Sequence, residues 1–246
     1  MGYGNVLLKL SGEALSGTGE RGLNREAIEV IAGQIRDVAV AGRRLAVVVG
    51  GGNIVRGSEL SGTVGVRATA DQMGMLATMV NGLALMDGLE RVGLEARLMS
   101  AVSAHQICEP FIRRRAIRHQ EKGRVVVLAG GTGNPFFTTD TTAALRASEL
   151  GCDIVLKATK VDGIYDSDPH KNPGAKRYDR LSYREVLERN LGVMDLTAIT
   201  MCMNHDLPIC VFDVMTPGNL KRVVEGEPIG SFVLPDEPAA VAGHPS

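Results

Sequence analysis

Val125-Val126-Val127-Leu128-Ala129-Gly130-Gly131-Thr132-Gly133-Asn134-Pro135-Phe136-Phe137-Thr138-Thr139-Asp140-Thr141-Thr142 is the stretch whose reading decides the fold. Its first five residues are apolar, mostly β-branched and closed by glycine, the pattern of a buried strand. The polar middle, rich in Gly and Thr, then runs into the helical segment Ala143 to Leu150, which Gly151 closes. Such a link places bare backbone N–H groups, several hydroxyls and one carboxylate where a strand ends and a helix begins. In an open α/β sheet that is where ligands bind, and a helix N-terminus favours anions. A phosphorylated ligand is the expectation. Capping alone would explain the hydroxyls and Asp140, but not the length of the Gly/Thr-rich approach.

The same grammar recurs outward from this stretch. Val6 to Leu10 reads as a strand emptying into Lys9-Leu10-Ser11-Gly12-Glu13. Leu45 to Val49 empties into Gly50-Gly51-Gly52-Asn53-Ile54-Val55-Arg56-Gly57, and Asp153 to Ala158 into a polar loop ending near Asp168. Successive glycines let a backbone approach a ligand closely, and Arg56 offers a planar cationic fork suited to phosphate; a mobile hinge would use the same residues. Apolar strands alternating with helices imply an α/β fold: a three-layer sandwich with a mostly parallel sheet and helices on both faces. In such a sheet the loops 9–12, 50–57, 130–140 and 158–168 leave from one edge and can converge on one cleft. Lys9, Arg56, Asp140, Lys160 and Asp168, with many N–H donors, suit phosphoryl transfer, which depends on positioning and charge neutralisation.

Several alternatives are excluded or weakened. There is no G-x-x-x-x-G-K-[ST] loop and no G-x-S-x-G elbow. Gly17-Thr18-Gly19-Glu20-Arg21-Gly22 matches the dinucleotide fingerprint, but residues 11–16 separate it from the strand, so it reads as a glycine-rich loop. The five histidines lack ligand spacing, so no protein-held metal such as zinc is expected. The four cysteines form no C-x-x-C pair, as in a reduced, cytoplasmic protein. A net charge of −1, aromatics at 4% and the short basic run Arg113 to His119 give no basis for nucleic-acid binding, and no apolar run reaches membrane-spanning length. Asp71 opens a Met-rich helix, where it either caps the helix or faces the glycine loop, and the stripe of Met73, Met75, Met79 and Met86 reads as core or subunit interface. Residues 235–246 are expected to be a disordered tail.

Lys9-Leu10-Ser11-Gly12-Glu13-Ala14-Leu15, Gly50-Gly51-Gly52-Asn53, the stretches 71–82 and 131–140, Leu156 to Gly163 and Val193-Met194-Asp195-Leu196 together resemble the bacterial UMP kinases of the amino acid kinase superfamily. The resemblance runs in order from residue 5 to about 234. It implies phosphorylation of UMP to UDP by ATP with Mg²⁺, in a cytoplasmic homohexamer that GTP activates and UTP inhibits. It implies one domain, 5–234, with a UMP-binding lobe over 5–151 and an ATP-binding lobe over 152–234. By motif position, Lys9, Leu10, Ser11, Gly12, Gly52, Arg56, Thr159, Tyr165 and Asp168 would hold ATP. Gly51, Asp71 and the loop Thr132, Gly133, Asn134, Pro135, Phe136, Phe137, Thr138 and Thr139 would hold UMP. Lys9, Arg56 and Asp140 would be catalytic, with Arg56 preferred over Lys160 as the second cation, and Gly17, Thr18, Gly19, Glu20, Arg21 and Gly22 would form part of an effector site.

Overall fold

The computed structural model describes residues 2–17, 19–55, 64–169 and 171–236 of the 246. Its main sheet has nine strands among the described residues: β1 (Asn5–Leu10), β2 (Arg44–Val49), β3 (Ala96–Ser100), β4 (Glu109–Pro110), β5 (Val125–Ala129), β6 (Ile154–Thr159), β9 (Arg180–Ser182), β10 (Ile209–Asp213) and β11 (Ser231–Leu234). They stand in the order β4-β3-β5-β2-β1-β6-β10-β11-β9. Neighbours are parallel except β10 and β11. A separate antiparallel ribbon joins β7 (Ile164–Tyr165) to β8 (Arg177–Tyr178). The expected three-layer α/β architecture is present. The strands of two or three residues were not foreseen, because they are too short to show a period.

The two faces of the sheet follow from side-chain alternation. On one face Val6, Leu8 and Leu10 of β1 join Val47, Val127 and Leu156 under Ile28, Ile31 and Ile35 of α1 (Arg25–Ala39) and Leu85 and Leu89 of α2 (Arg67–Arg91). The short α7 (Asn219–Val224) adds Leu220 and Val223 to this layer. On the other face Leu7, Val48, Val126 and Val155 meet Ala143, Ala144 and Ala147 of α4 (Thr139–Leu150). Ala116 of α3 (Arg113–Glu121), Tyr183 and Val186 of α5 (Tyr183–Glu188) and Ala198 and Cys202 of α6 (Leu196–Asn204) complete it. With both faces covered, a central strand can be apolar throughout, as β5 is, and β1 departs from this only at Asn5 and Lys9.

Helix starts match their local chemistry. Asn24 accepts from the Ala27 N–H and opens α1, Ser182 and Glu185 form a reciprocal capping box, and Asp195 accepts from the Ala198 N–H to open α6. One start differs: α2 begins at Arg67, so Asp71 lies a turn inside the helix and caps nothing. The basic run forms the exposed face of α3, with His119 the buried exception beside Glu109 at 3.2 Å. Among the described residues no helix is long and apolar enough to cross a membrane. The cysteines are free; burial, with the Asp153 charge for Cys152 and the Asp195 charge for Cys202, pushes these two thiols up to about 12, so neither is a ready nucleophile.

Candidate active site

The four strands that feed the expected loops are consecutive in the sheet, β5-β2-β1-β6, and mutually parallel. Their C-terminal loops therefore leave one edge side by side. Lys9 near the end of β1 stands directly opposite Lys157 of β6. Odd-numbered residues of both strands face the layer containing α4, so the register puts two ammonium groups on the same side, under the first turn of that helix. Asp140 meets both: Oδ1 lies 2.7 Å from Lys9 Nζ and Oδ2 accepts a 2.8 Å hydrogen bond from Lys157 Nζ. Lys157 also donates to the Val193 carbonyl at 2.5 Å.

This cluster is buried but not electrically balanced. Side-chain exposures of 9%, 16% and 14% for Lys9, Lys157 and Asp140 show that two cations and one anion are held largely out of water. Burial opposes the Asp140 charge, yet the two lysines outweigh it and hold its carboxyl below the ordinary value. The start of a twelve-residue helix adds to the same effect. Burial, the largest influence on Lys157, drives its ammonium below the ordinary lysine value even against the pull of Asp140. The surplus positive charge, with loop N–H groups around it, is suited to receive an anionic group.

Two cavities flank the cluster. One, of about 170 Å³, is walled by Gly51, Asp71, Met75, Thr78, Gly131, Thr132, Asn134, Phe137, Thr138 and Thr139 among others. Here Asp71 Oδ2 accepts from the Phe136 N–H at 2.8 Å, tying α2 to the 131–140 loop. Gly130 takes φ +75°, and a Cβ there would sit 2.6 Å from Ser100 Oγ, so only glycine permits this turn. Gly133, Pro135 and Phe136 fall outside this wall. The other cavity, of about 520 Å³, is lined by Lys157, Thr159, Gly163, Tyr165, Asp168 and Asn190 to Val193. Tyr165 donates from its hydroxyl to Asp162 at 2.6 Å.

Between the cavities, Asp195 joins α6 to the start of α4. It accepts hydrogen bonds from the hydroxyls of Thr138 and Thr141. Thr138 in turn accepts from the Asp140 and Thr141 N–H groups. The segment 193–195 thus holds Lys157 at one end and the helix start carrying Asp140 at the other.

The second cation on Asp140 is Lys157. Lys160 is exposed and off both cavity walls, and Arg56 and Thr18 lie outside the described residues. Lys157 was the residue missed by sequence reasoning, although its position inside Ile154-Val155-Leu156-Lys157-Ala158 is a signal. A lysine flanked by buried aliphatics is costly unless paired. Among the described residues no three acidic, histidine or cysteine side chains gather as a metal site.

This geometry is that of a phosphotransferase cleft, and the comparisons with known proteins agree. Residues 5–213 match the amino acid kinase family, and the chain belongs to that family. Within it, the likeness is to the UMP kinases. The UMP kinase of Bacillus anthracis is 37% identical, with a TM-score of 0.93 over 96% of this chain and 98% of that one. The UMP kinase of Ureaplasma parvum is 33% identical with a TM-score of 0.88, covering 95% and 100%. The uridylate kinase of Archaeoglobus fulgidus is 30% identical with a TM-score of 0.74, covering 95% and 100%.

Proposed function

We propose that this protein phosphorylates UMP to UDP with ATP. The observation that carries the reading is the Lys9–Asp140–Lys157 cluster, set between two cavities at the edge of the sheet where the strand-end loops meet. The smaller cavity, within residues 51–139, takes UMP, with Asp71 as acceptor for ribose hydroxyls, and the larger one takes ATP against Thr159, Tyr165 and Asp168. The chain accordingly divides into a UMP lobe, 5–151, and an ATP lobe, 152–234. The two phosphate tails meet over Lys9 and Lys157, whose charges offset the negative charge on the transferring phosphoryl. Loop glycines add N–H donors, and Asp140 keeps both ammonium groups in register. The reaction needs little covalent help from the protein; its barrier falls through alignment and preorganised charge.

Mg²⁺ enters with ATP through the phosphates, which suits a site without a carboxylate cage. Asp140 Oδ1, buried and lacking a hydrogen-bond donor of good geometry beyond its contact with Lys9, fits a partner for metal-bound water. When bound, the ion would supply further charge neutralisation. The assembly proposed is a cytoplasmic homohexamer, with GTP and UTP as activator and inhibitor and the 17–22 loop as part of the effector site.

A coupled assay of ADP release with UMP, CMP, AMP, carbamate and N-acetylglutamate tests the reading. UMP is expected to give the highest kcat/KM. Turnover of carbamate or an amino acid with none of UMP would replace it with another kinase of the family. Tight uridine-nucleotide binding without turnover would make the protein a sensor, a role that needs no Lys9, Asp140 and Lys157 held together.

A further inference from the structure

Asn53 and Asn81 are buried amides, 4% and 0% exposed, that touch neither cavity. They face one another reciprocally: Asn81 Nδ2 donates to Asn53 Oδ1 at 2.6 Å, and Asn53 Nδ2 to Asn81 Oδ1 at 3.1 Å. Their remaining donors go to backbone, Asn81 to the Gly50 carbonyl and Asn53 to the Gly22 carbonyl, each at 2.6 Å. The Gly22 N–H returns a bond to the Asn53 carbonyl at 3.0 Å. The donors of both amides are thus spent inside a closed network, which fixes geometry more firmly than any one of its bonds.

Three loops register on this pair. A Cβ at Gly12 would fall 2.3 Å from Asn53 Oδ1 and 2.8 Å from the Gly52 nitrogen, so the loop after β1 lies directly against the Asn53 amide. The loop after β2 is held through Gly50, and the segment 19–22 through Gly22. The anchor is α2, which carries Asn81 and, one turn earlier on the same buried face, Thr78, whose hydroxyl accepts the Gly130 N–H at 2.7 Å. One helix face thereby sets the spacing of the glycine loops that surround Lys9.

We infer that Asn53 and Asn81 are positioning residues for phosphoryl transfer: their amide pair fixes the Gly12 and Gly50–Gly52 backbones relative to Lys9. The inference rests on the kinase reading above. An ångström of misplacement in such a site can cost up to a hundredfold in rate, and of the backbones the pair holds only Gly51 belongs to a cavity wall. Loss of the pair therefore falls on kcat, with KM for UMP and ATP left nearly constant.

The test is steady-state kinetics on the full-length Asn81→Leu and Asn53→Ser variants and their double variant, each checked for folding by circular dichroism and thermal melting. Wild-type turnover of UMP, run alongside, reports on the kinase reading alone; the variants are read as ratios to it. The expected result is a tenfold or greater loss of kcat in each single variant with both KM values within threefold, and a double variant no slower than the worse single. A kcat within twofold of wild type, a lowered melting temperature being the sole effect, would show the pair to be purely structural and overturn the inference. Losses that multiply in the double variant, or that appear only in KM, overturn it too. If Asn81→Leu fails to fold, Asn53→Ser decides by the same kcat limits.

Discussion

At the scale of single residues, Lys157 has the most distinctive behaviour. Its folded pKa lies below the ordinary lysine value, so the folded chain binds fewer protons than the unfolded chain between those two values. Through that window its contribution to stability rises with pH, because the unfolded state is the one losing protons. Activity moves the other way, since a neutral amine no longer offsets phosphoryl charge. An alkaline fall in kcat/KM, which reports the ligand-free enzyme, is expected to begin below the ordinary lysine range without loss of folded protein, and to vanish in Lys157→Arg, which stays charged. An identical alkaline limb in that variant would assign the titration elsewhere. Lys157→Ala should lose roughly 10²–10³ in kcat, the scale for removing one charge-stabilising donor.

The same residue marks the boundary of what the sequence discloses. The lysine–glycine and triple-glycine loops, Asp140 and Asp71 are visible as chemistry placed at strand ends, and Asn24, Ser182 and Asp195 announce their helices. Lys157 is visible only as an anomaly, because its meaning depends on the Lys9–Lys157 register, a pairing between strands nearly 150 residues apart. The amides Asn53 and Asn81 give no local signal, since buried networks become apparent only when distant segments meet.

At the scale of elements, α2 works on two faces. Inward, Thr78 and Asn81 hold loop backbones and Met75 and Met79 are buried. Outward, Leu76 and Val80 are 56% and 44% exposed, four residues apart on one stripe. Of the Met stripe, Met75 and Met79 belong to the buried face, while the exposed stripe beside them is made by Leu76 and Val80. If the homohexamer forms through this stripe, sedimentation will give six times the 26.1 kDa chain mass, and Leu76→Asp will shift the protein to smaller species. A hexamer unaffected by that change would place the contact on another face. The start of α4 is the second decisive element: Thr138 caps it, Asp195 braces the cap, and Asp140 occupies the first turn where the helix dipole assists its charge.

At the scale of the whole molecule, parallel topology is what makes the site. Four adjacent parallel strands deliver their loops to one edge, while the cores on both faces keep that edge rigid. The cavities fall on either side of the β1–β6 seam, one built from residues 51–139 and the other from 157–211, with Asp140 reaching across to Lys157. Asp140 is thus the residue that ties Lys9 of β1 to Lys157 of β6 across the seam. The kcat of Asp140→Asn with UMP and ATP measures this directly. The account predicts a fall of at least a hundredfold with the fold intact and both KM values changed only severalfold; a kcat within twofold of wild type would contradict it.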